Sequence, residues 1–188
     1  MSALFDLDTN VFLLMNHLPH NQVTDLIGQM ISGAGMVGAV WLAIGIFVYL
    51  IEANKDHWFA GRLLVAGVAS WLVVEEIIKP LVARLRPSAE MGAVIVGKIS
   101  TDYSFPSGHA TIAWAMATVL AAKKPDGKPL YYILALAISL SRIYLGKHYP
   151  LDVVAGGIIG WGIGVLIEKL SPRLKRNKPS SSDISSTS

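Results

Sequence analysis

Long apolar runs broken by short polar clusters set the pattern of this chain. Five runs, over residues 36–51, 58–78, 106–122, 130–145 and 150–170, each approach the roughly 20 residues that carry a helix across about 30 Å of hydrocarbon. Several are slightly short, which predicts tilt or a thin membrane. Ahead of them, residues 5–15 read as a short amphipathic helix, bounded at 4–17, that lies in the membrane interface and is too short to span. A further, partly inserted helix starts over residues 23–30 and is loosened at Ser32-Gly33-Ala34-Gly35. The pattern predicts an all-α, polytopic membrane helix bundle of about five transmembrane helices plus an N-terminal interfacial helix. One domain is expected over residues 1–172. A basic, Ser-rich and disordered tail is expected over 173–188, its Arg173-to-Lys178 lead-in suited to anionic headgroups.

Composition agrees. Hydrophobic residues make up 53% of the chain and charged residues 15%, the latter well below the roughly 25% of soluble domains. Cysteine is absent, which excludes disulfide frameworks, thiolate metal sites and cysteine nucleophiles. A net charge of +3 invites a nucleic-acid reading, but no aromatic-basic platform accompanies it, and topology explains the basic residues better. Residues 1–35 contain no Lys or Arg and lack the basic start and cleavage site of a secretory signal. If the runs alternate in direction, ten basic residues (Lys55, Arg62, Lys123, Lys124, Lys128, Lys169, Arg173, Lys175, Arg176, Lys178) fall on one side. Six (Lys79, Arg84, Arg86, Lys98, Arg142, Lys147) fall on the other. The positive-inside rule then puts the first group, and the C-terminus, in the cytoplasm. Gly156, Gly160 and Gly164 recur every four residues on the last run, a smooth stripe for close packing inside the monomer or, alternatively, for dimerisation.

Three polar islands lie between Lys79 and Asp152, on the outward side. In the first, Pro80 disfavours helical geometry at Lys79, so the second long helix is expected to end there. Arg86 precedes Pro87. Lys79 and Arg86 offer a point charge and a planar fork to phosphate oxygens; alone, they read equally as snorkelling cations. Glu75, four residues before Lys79, is placed to pair with it. In the second island, Pro106 suits the first position of a helix capped by Ser104 or Phe105. Ser107, Gly108 and His109 would then present free amides to an anion. In the third, Arg142 closes one helix, and His148 and Asp152 flank the start at Pro150. A carboxylate beside a histidine fixes its tautomer and frees the other nitrogen as nucleophile or base, although an Asp in the first turn is favoured by the helix dipole anyway. His17 and His20, in a Pro-containing turn, read as surface residues.

Written together, the islands are K-x6-R-P (Lys79, Arg86, Pro87), P-S-G-H (Pro106 to His109) and S-R-x5-H-x3-D (Ser141, Arg142, His148, Asp152). This resembles the type 2 phosphatidic acid phosphatase family, in its membrane branch, at every motif position over residues 79–152. The resemblance implies a metal-independent lipid phosphatase without a cofactor. His148 resembles the nucleophile that becomes phosphohistidine, Asp152 the residue that orients it, and His109 the general acid. Lys79, Arg86, Ser107, Gly108 and Arg142 resemble the phosphate-binding shell. Small size, an interfacial N-terminus and an outward site are similar to the bacitracin-resistance type of undecaprenyl-diphosphate phosphatase, placing the active site at the outer face of the cytoplasmic membrane. Members of that group often depart from the motif lysine that Lys79 keeps, whereas phosphatidylglycerophosphate and phosphatidate phosphatases keep it. A lipid phosphotransferase would share every one of these residues, and a silent scaffold would not need them. The expected partners are a lipid phosphate and membrane lipids.

Overall fold

The computed structural model describes residues 2–35, 38–51 and 56–171. The 173–188 tail, Lys55, and Met36 and Val37 at the start of the first expected span lie outside the described residues. The chain is all-helical there, without strands. It runs α1 (Ser2–Asn16), α2 (Gln22–Ala34), α3 (Ala39–Ile51), α4 (His57–Leu72), a π turn (Val73–Ile78), α5 (Lys79–Val82), α6 (Gly108–Lys123), α7 (Lys128–Tyr144) and α8 (Pro150–Leu170).

Local chemistry accounts for the boundaries. Asn21 caps α2, its Oδ1 accepting from the Val23 and Thr24 amides at 2.9 and 3.0 Å, while Thr24 Oγ1 accepts from the Asn21 amide, a reciprocal capping box. Asp56 caps α4 through the Phe59 amide at 3.0 Å. The expected stop at Lys79 does not occur: Lys79 is helical and its amide reaches back to the Val74 carbonyl. The π turn explains this. Widening the helix before Pro80 avoids the clash and the lost bond that proline brings to an α-helical interior, and Pro80 then falls in the first turn of α5, where its missing N–H is not needed. The chain turns at Ala83, in the left-handed region at φ 50°, and sends Arg84 and Arg86 back toward the bundle.

Helix α6 is the central pillar, packed by α4, α7 and α8 and buried through most of its length. The glycine stripe of α8 faces it. A Cβ at Gly156 would stand 2.7 Å from the Ser107 carbonyl and one at Gly164 2.7 Å from the Ala115 carbonyl, while one at Gly160 would collide with the Thr111 carbonyl. The stripe therefore serves packing within the monomer. At one end of the bundle, Lys123 and Arg62 meet Asp56 at 3.1 and 3.5 Å, and Arg62 meets Glu168 at 2.9 Å. All three polar islands gather at the other end.

The outer surface is apolar, as with Phe47, Leu50, Leu130 and Ile158, each more than three-fifths exposed. By length and apolarity α8 alone among the described helices qualifies as a membrane span, and α2 with α3, set at 59° to each other, qualifies only as a bent pair. Helices α6 and α7, with 16 and 17 residues, fall short of the roughly 20 expected of a span, whereas α4 continues without a break through the π turn into α5. Helix α1 carries its polar side inward. Asp8, Phe12 and Asn16, at four-residue spacing, are 3%, 0% and 0% exposed, whereas Leu4, Leu7 and Leu14 are more than half exposed.

Candidate active site

The first island and the loop before the second make a cation cluster closed by a carboxylate. Lys79 lies buried with its ammonium donating to both Glu75 oxygens, at 2.8 and 2.9 Å, and to Asp102. Arg86 donates through Nη2 to the same Asp102 oxygen at 2.9 Å and through Nε to the Asp102 carbonyl at 3.1 Å. Burial works to raise the Asp102 carboxyl; hydrogen bonds and charge from Lys79 and Arg86 overcome it and hold the group well below the usual carboxylate range.

The guanidinium of Arg86 also reaches the third island. Its Nη1 donates to the Lys147 carbonyl at 2.7 Å and faces His148 Nε2 at 3.0 Å. On the opposite edge of the ring, Nδ1 meets the Ser104 carbonyl at 2.8 Å. A carbonyl only accepts and a guanidinium only donates, so these partners select the tautomer with the proton on Nδ1 and a lone pair on Nε2. His148 is 1% exposed. Burial, the main cause, and the charges of Arg86 and Arg142 push its pKa down to about 4 against the opposing Asp152. The ring is therefore neutral at pH 7, the state a nucleophile requires.

Asp152 stands 3.6 Å from Nδ1, outside hydrogen-bond range, so its hold on the ring passes through Ser104, whose hydroxyl donates to Asp152 Oδ2 while its carbonyl takes the ring N–H. The Tyr149 amide donates to the same Asp152 oxygen at 2.9 Å, and Arg84 donates to Oδ1 at 2.6 Å. The second guanidinium nitrogen of Arg84 donates to Asp8 at 2.6 Å.

In the second island the cap is Ser107, not Ser104 or Phe105, and α6 begins at Gly108. The Ser107 amide, expected to be free for an anion, is instead taken by the Asp152 carbonyl at 3.0 Å. The Gly108 and His109 amides are left as the first two of the four that a helix start cannot pair internally. Gly108 and His109 open on an apolar cleft of about 480 Å³ whose walls include Leu64, Gly67, Trp71, Ile112 and Met116.

Arg142 is 9% exposed. Its Nη1 donates to Ser32 on α2, and its buried Nε has no partner among the described residues. Lys147 is also buried, its ammonium donating to the Lys98 carbonyl at 2.7 Å. Burial, with Arg142 and Arg86 nearby, pushes its pKa down to about 8. Buried cations with unused N–H groups beside a helix start make a site prepared for an anion. The structure thus brings Lys79, Arg86, His148 and Asp152 into one network with Ser107. Arg142 joins it through its carbonyl, which accepts the Lys147 and His148 amides at 2.9 and 3.3 Å. His109 lines the cleft, within electrostatic reach of Arg142, His148, Arg86 and Lys79.

Sequence reasoning missed four members. Asp102 and Ser104 fall in a loop with no periodicity to place them, and Arg84 passed as one more outward cation. Asp8 had a signal. It shares one helical face with Phe12 and Asn16, so a carboxylate sits among residues that all proved buried.

An all-helical bundle with a buried cation cluster around a neutral, buried histidine has the groups that binding and transfer of a phosphoryl group require. Residues 59–176 match the PAP2 superfamily, and the chain belongs to it. Among curated relatives, the lipid A 4'-phosphatase of Bacteroides thetaiotaomicron is 28% identical over 94% of this chain and 84% of its own length. The undecaprenyl-diphosphatase of Sulfolobus acidocaldarius is 31% identical over 92% and 80%. The crystal structure of LpxE from Aquifex aeolicus superposes with a TM-score of 0.72 at 26% identity, covering 85% of this chain and 93% of that one. The protein is a phosphoric-ester hydrolase of the membrane lipid phosphatase kind.

Proposed function

We propose that this chain removes the terminal phosphate from undecaprenyl diphosphate at the outer face of the cytoplasmic membrane, through a phosphohistidine on His148. The observation that carries the reading is the adjacency of two environments. A buried cation cluster, its Arg142 Nε without a partner among the described residues, stands beside an apolar cleft of about 480 Å³ that opens at His109. A lipid with a charged head and a long apolar tail suits both at once. The undecaprenyl-diphosphatase relative, matching nearly the whole chain, supports the choice of lipid. The excess of basic residues on the opposite side supports the outward orientation, with about five spans, the shorter helices crossing in a thinned bilayer.

In this mechanism Lys79, Arg86, Arg142 and the Gly108 amide hold the phosphate oxygens. Nε2 of His148 attacks the terminal phosphorus in line. The bond to the bridging oxygen breaks as His109 gives that oxygen a proton. Water, losing a proton to His109, then attacks the phosphorus; the P–N bond breaks and inorganic phosphate leaves. Arg86 must turn from Nε2 to a phosphate oxygen as substrate arrives, which couples binding to exposure of the nucleophile.

The test is a phosphate-release screen of purified protein on undecaprenyl diphosphate, phosphatidylglycerophosphate, phosphatidate and diacylglycerol diphosphate, with vanadate as inhibitor. Undecaprenyl diphosphate is expected to give the highest kcat/KM. A clear preference for phosphatidylglycerophosphate would overturn the lipid assignment, and recovery of the phosphate on a second lipid would mark a transferase. H148A is expected to be folded and inactive; turnover above a trace would remove His148 from its role.

A further inference from the structure

Helix α1 is tied to the catalytic end by three inward contacts along one face. Phe12 packs its ring on Tyr149 at 5.3 Å. Asn16 donates to the Val94 and Tyr144 carbonyls at 2.9 and 2.8 Å and accepts from the Val94 amide at 2.8 Å. Asp8, its side chain 1% exposed, does more than pack. One of its oxygens accepts from the Leu151 amide at 2.8 Å, so a residue of α1 caps the start of α8 at the position just before Asp152. The other oxygen accepts from Arg84 at 2.6 Å, and the same guanidinium donates to Asp152 at 2.6 Å. Arg84 is flattened between these carboxylates and the Tyr149 ring, its Cζ 4.0 Å from the ring centroid.

Two buried carboxylates sharing one guanidinium give up water around each charge, a cost that is offset where the arrangement holds something in place. What it holds is Asp152, fixed twice by Asp8: through the backbone start of α8 and through the fork of Arg84. From Asp152 the chain of contacts runs to the Ser104 hydroxyl, and the carbonyl of that same residue sets the tautomer of His148. We propose that Asp8 and Arg84 are positioning residues for the phosphoryl transfer, making α1 a working part of the active site. They act through Asp152 and Ser104 on the nucleophile and do not touch the substrate, so their loss lowers the rate of the chemical step and spares binding. The inference rests on His148 being that nucleophile.

The experiment compares the full chain, purified in detergent, as wild type, D8N, R84K, R84A, D6N and H148A. Substrates are undecaprenyl diphosphate and, for a head without a lipid tail, 4-nitrophenyl phosphate. D8N keeps the shape of Asp8 and an oxygen for the Leu151 amide but removes the charge that Arg84 answers; D6N removes a charge from the exposed Asp6 on the same helix. Hydrogen-bond partners that orient the ligands of metal sites contribute about 10- to 100-fold to activity, and the same order is expected for partners that orient a catalytic side chain. D8N and R84A are expected to lose that much kcat on both substrates with KM within about twofold of wild type. R84K should fall between R84A and wild type, since one ammonium cannot fork to two carboxylates, and D6N should match wild type. Wild-type kcat in D8N and R84K beside an inactive H148A would overturn the proposal alone. A rise in KM matching the fall in kcat, with a lowered unfolding temperature, would also overturn it by assigning the pair to the fold. An active H148A would instead overturn the nucleophile assignment beneath it.

Discussion

Asp102 occupies both cations of the first motif with a single oxygen, the place that the proposed mechanism gives to a phosphate oxygen. On that mechanism the carboxylate competes with the entering anion and favours the departure of inorganic phosphate. The substitution D102N keeps the shape and removes the competing charge. Losing one charge-assisted contact of about 1.5 kcal/mol from the competitor corresponds to about tenfold tighter anion binding. The inhibition constant of inorganic phosphate is expected to fall by about that factor in D102N, with slower product release; an unchanged constant would remove Asp102 from the anion site. His148 gives a second expectation at this scale. Its folded pKa of about 4 lies below the ordinary 6.5 of an unfolded histidine. Between those values the unfolded chain binds the extra proton, so stability rises with pH through this window. The stabilisation is present above pH 6.5 and is lost as pH falls toward 4. Thermal unfolding in detergent across pH 4 to 7 should show this slope, and H148Q should reduce it.

At the scale of the element, what was legible in the sequence followed from periodicity and proline. Pro150 at the start of a long apolar run marked α8 at its observed bounds, because a first-turn proline and an unbroken apolar stretch agree there. Pro80 misled for the same reason that it was informative. The rule that proline ends a helix assumes α geometry, and a π turn removes the assumption without leaving a mark in composition. Ser107 was legible as a residue at the start of α6, yet its place as the cap, with its amide on the Asp152 carbonyl, depends on the loop before it, which has no period. The glycine stripe was readable in spacing, and its partner was not; only packing shows that it lies on α6. A Cβ at Gly160 would collide with a backbone carbonyl, which cannot rotate away as a side chain can. G160A should therefore push α8 off α6 and lower stability by about 1–3 kcal/mol, the usual range for overpacking. G162A, at a position with open space around it, should not. Equal unfolding temperatures for the two variants would show that α8 has room to shift.

The whole molecule joins two solvents. One end gathers five buried or half-buried cations and their carboxylates, while the flanks present exposed Leu, Ile, Val and Trp around the bundle. A substrate must bring its charged group to the first without lifting its tail from the second. The apolar cleft beside His109 is the route the structure offers, walled by α4 and α6 and passing the bare backbone of Gly67. A Cβ there would stand 3.4 Å from Met116 Sδ, ordinary contact with a flexible side chain, so a larger residue can be admitted without breaking the helix pair. G67F would fill the cleft while leaving the cation cluster untouched. The tail of a long lipid diphosphate then loses apolar contact, and burying each CH2 is worth about 0.8 kcal/mol. Displacing two such groups corresponds to about a tenfold rise in KM for undecaprenyl diphosphate. For 4-nitrophenyl phosphate, which has no tail, KM is expected to stay unchanged. A parallel rise for both substrates would mean that the substitution had disturbed the phosphate site, and no change for either would move the tail to another face of the bundle.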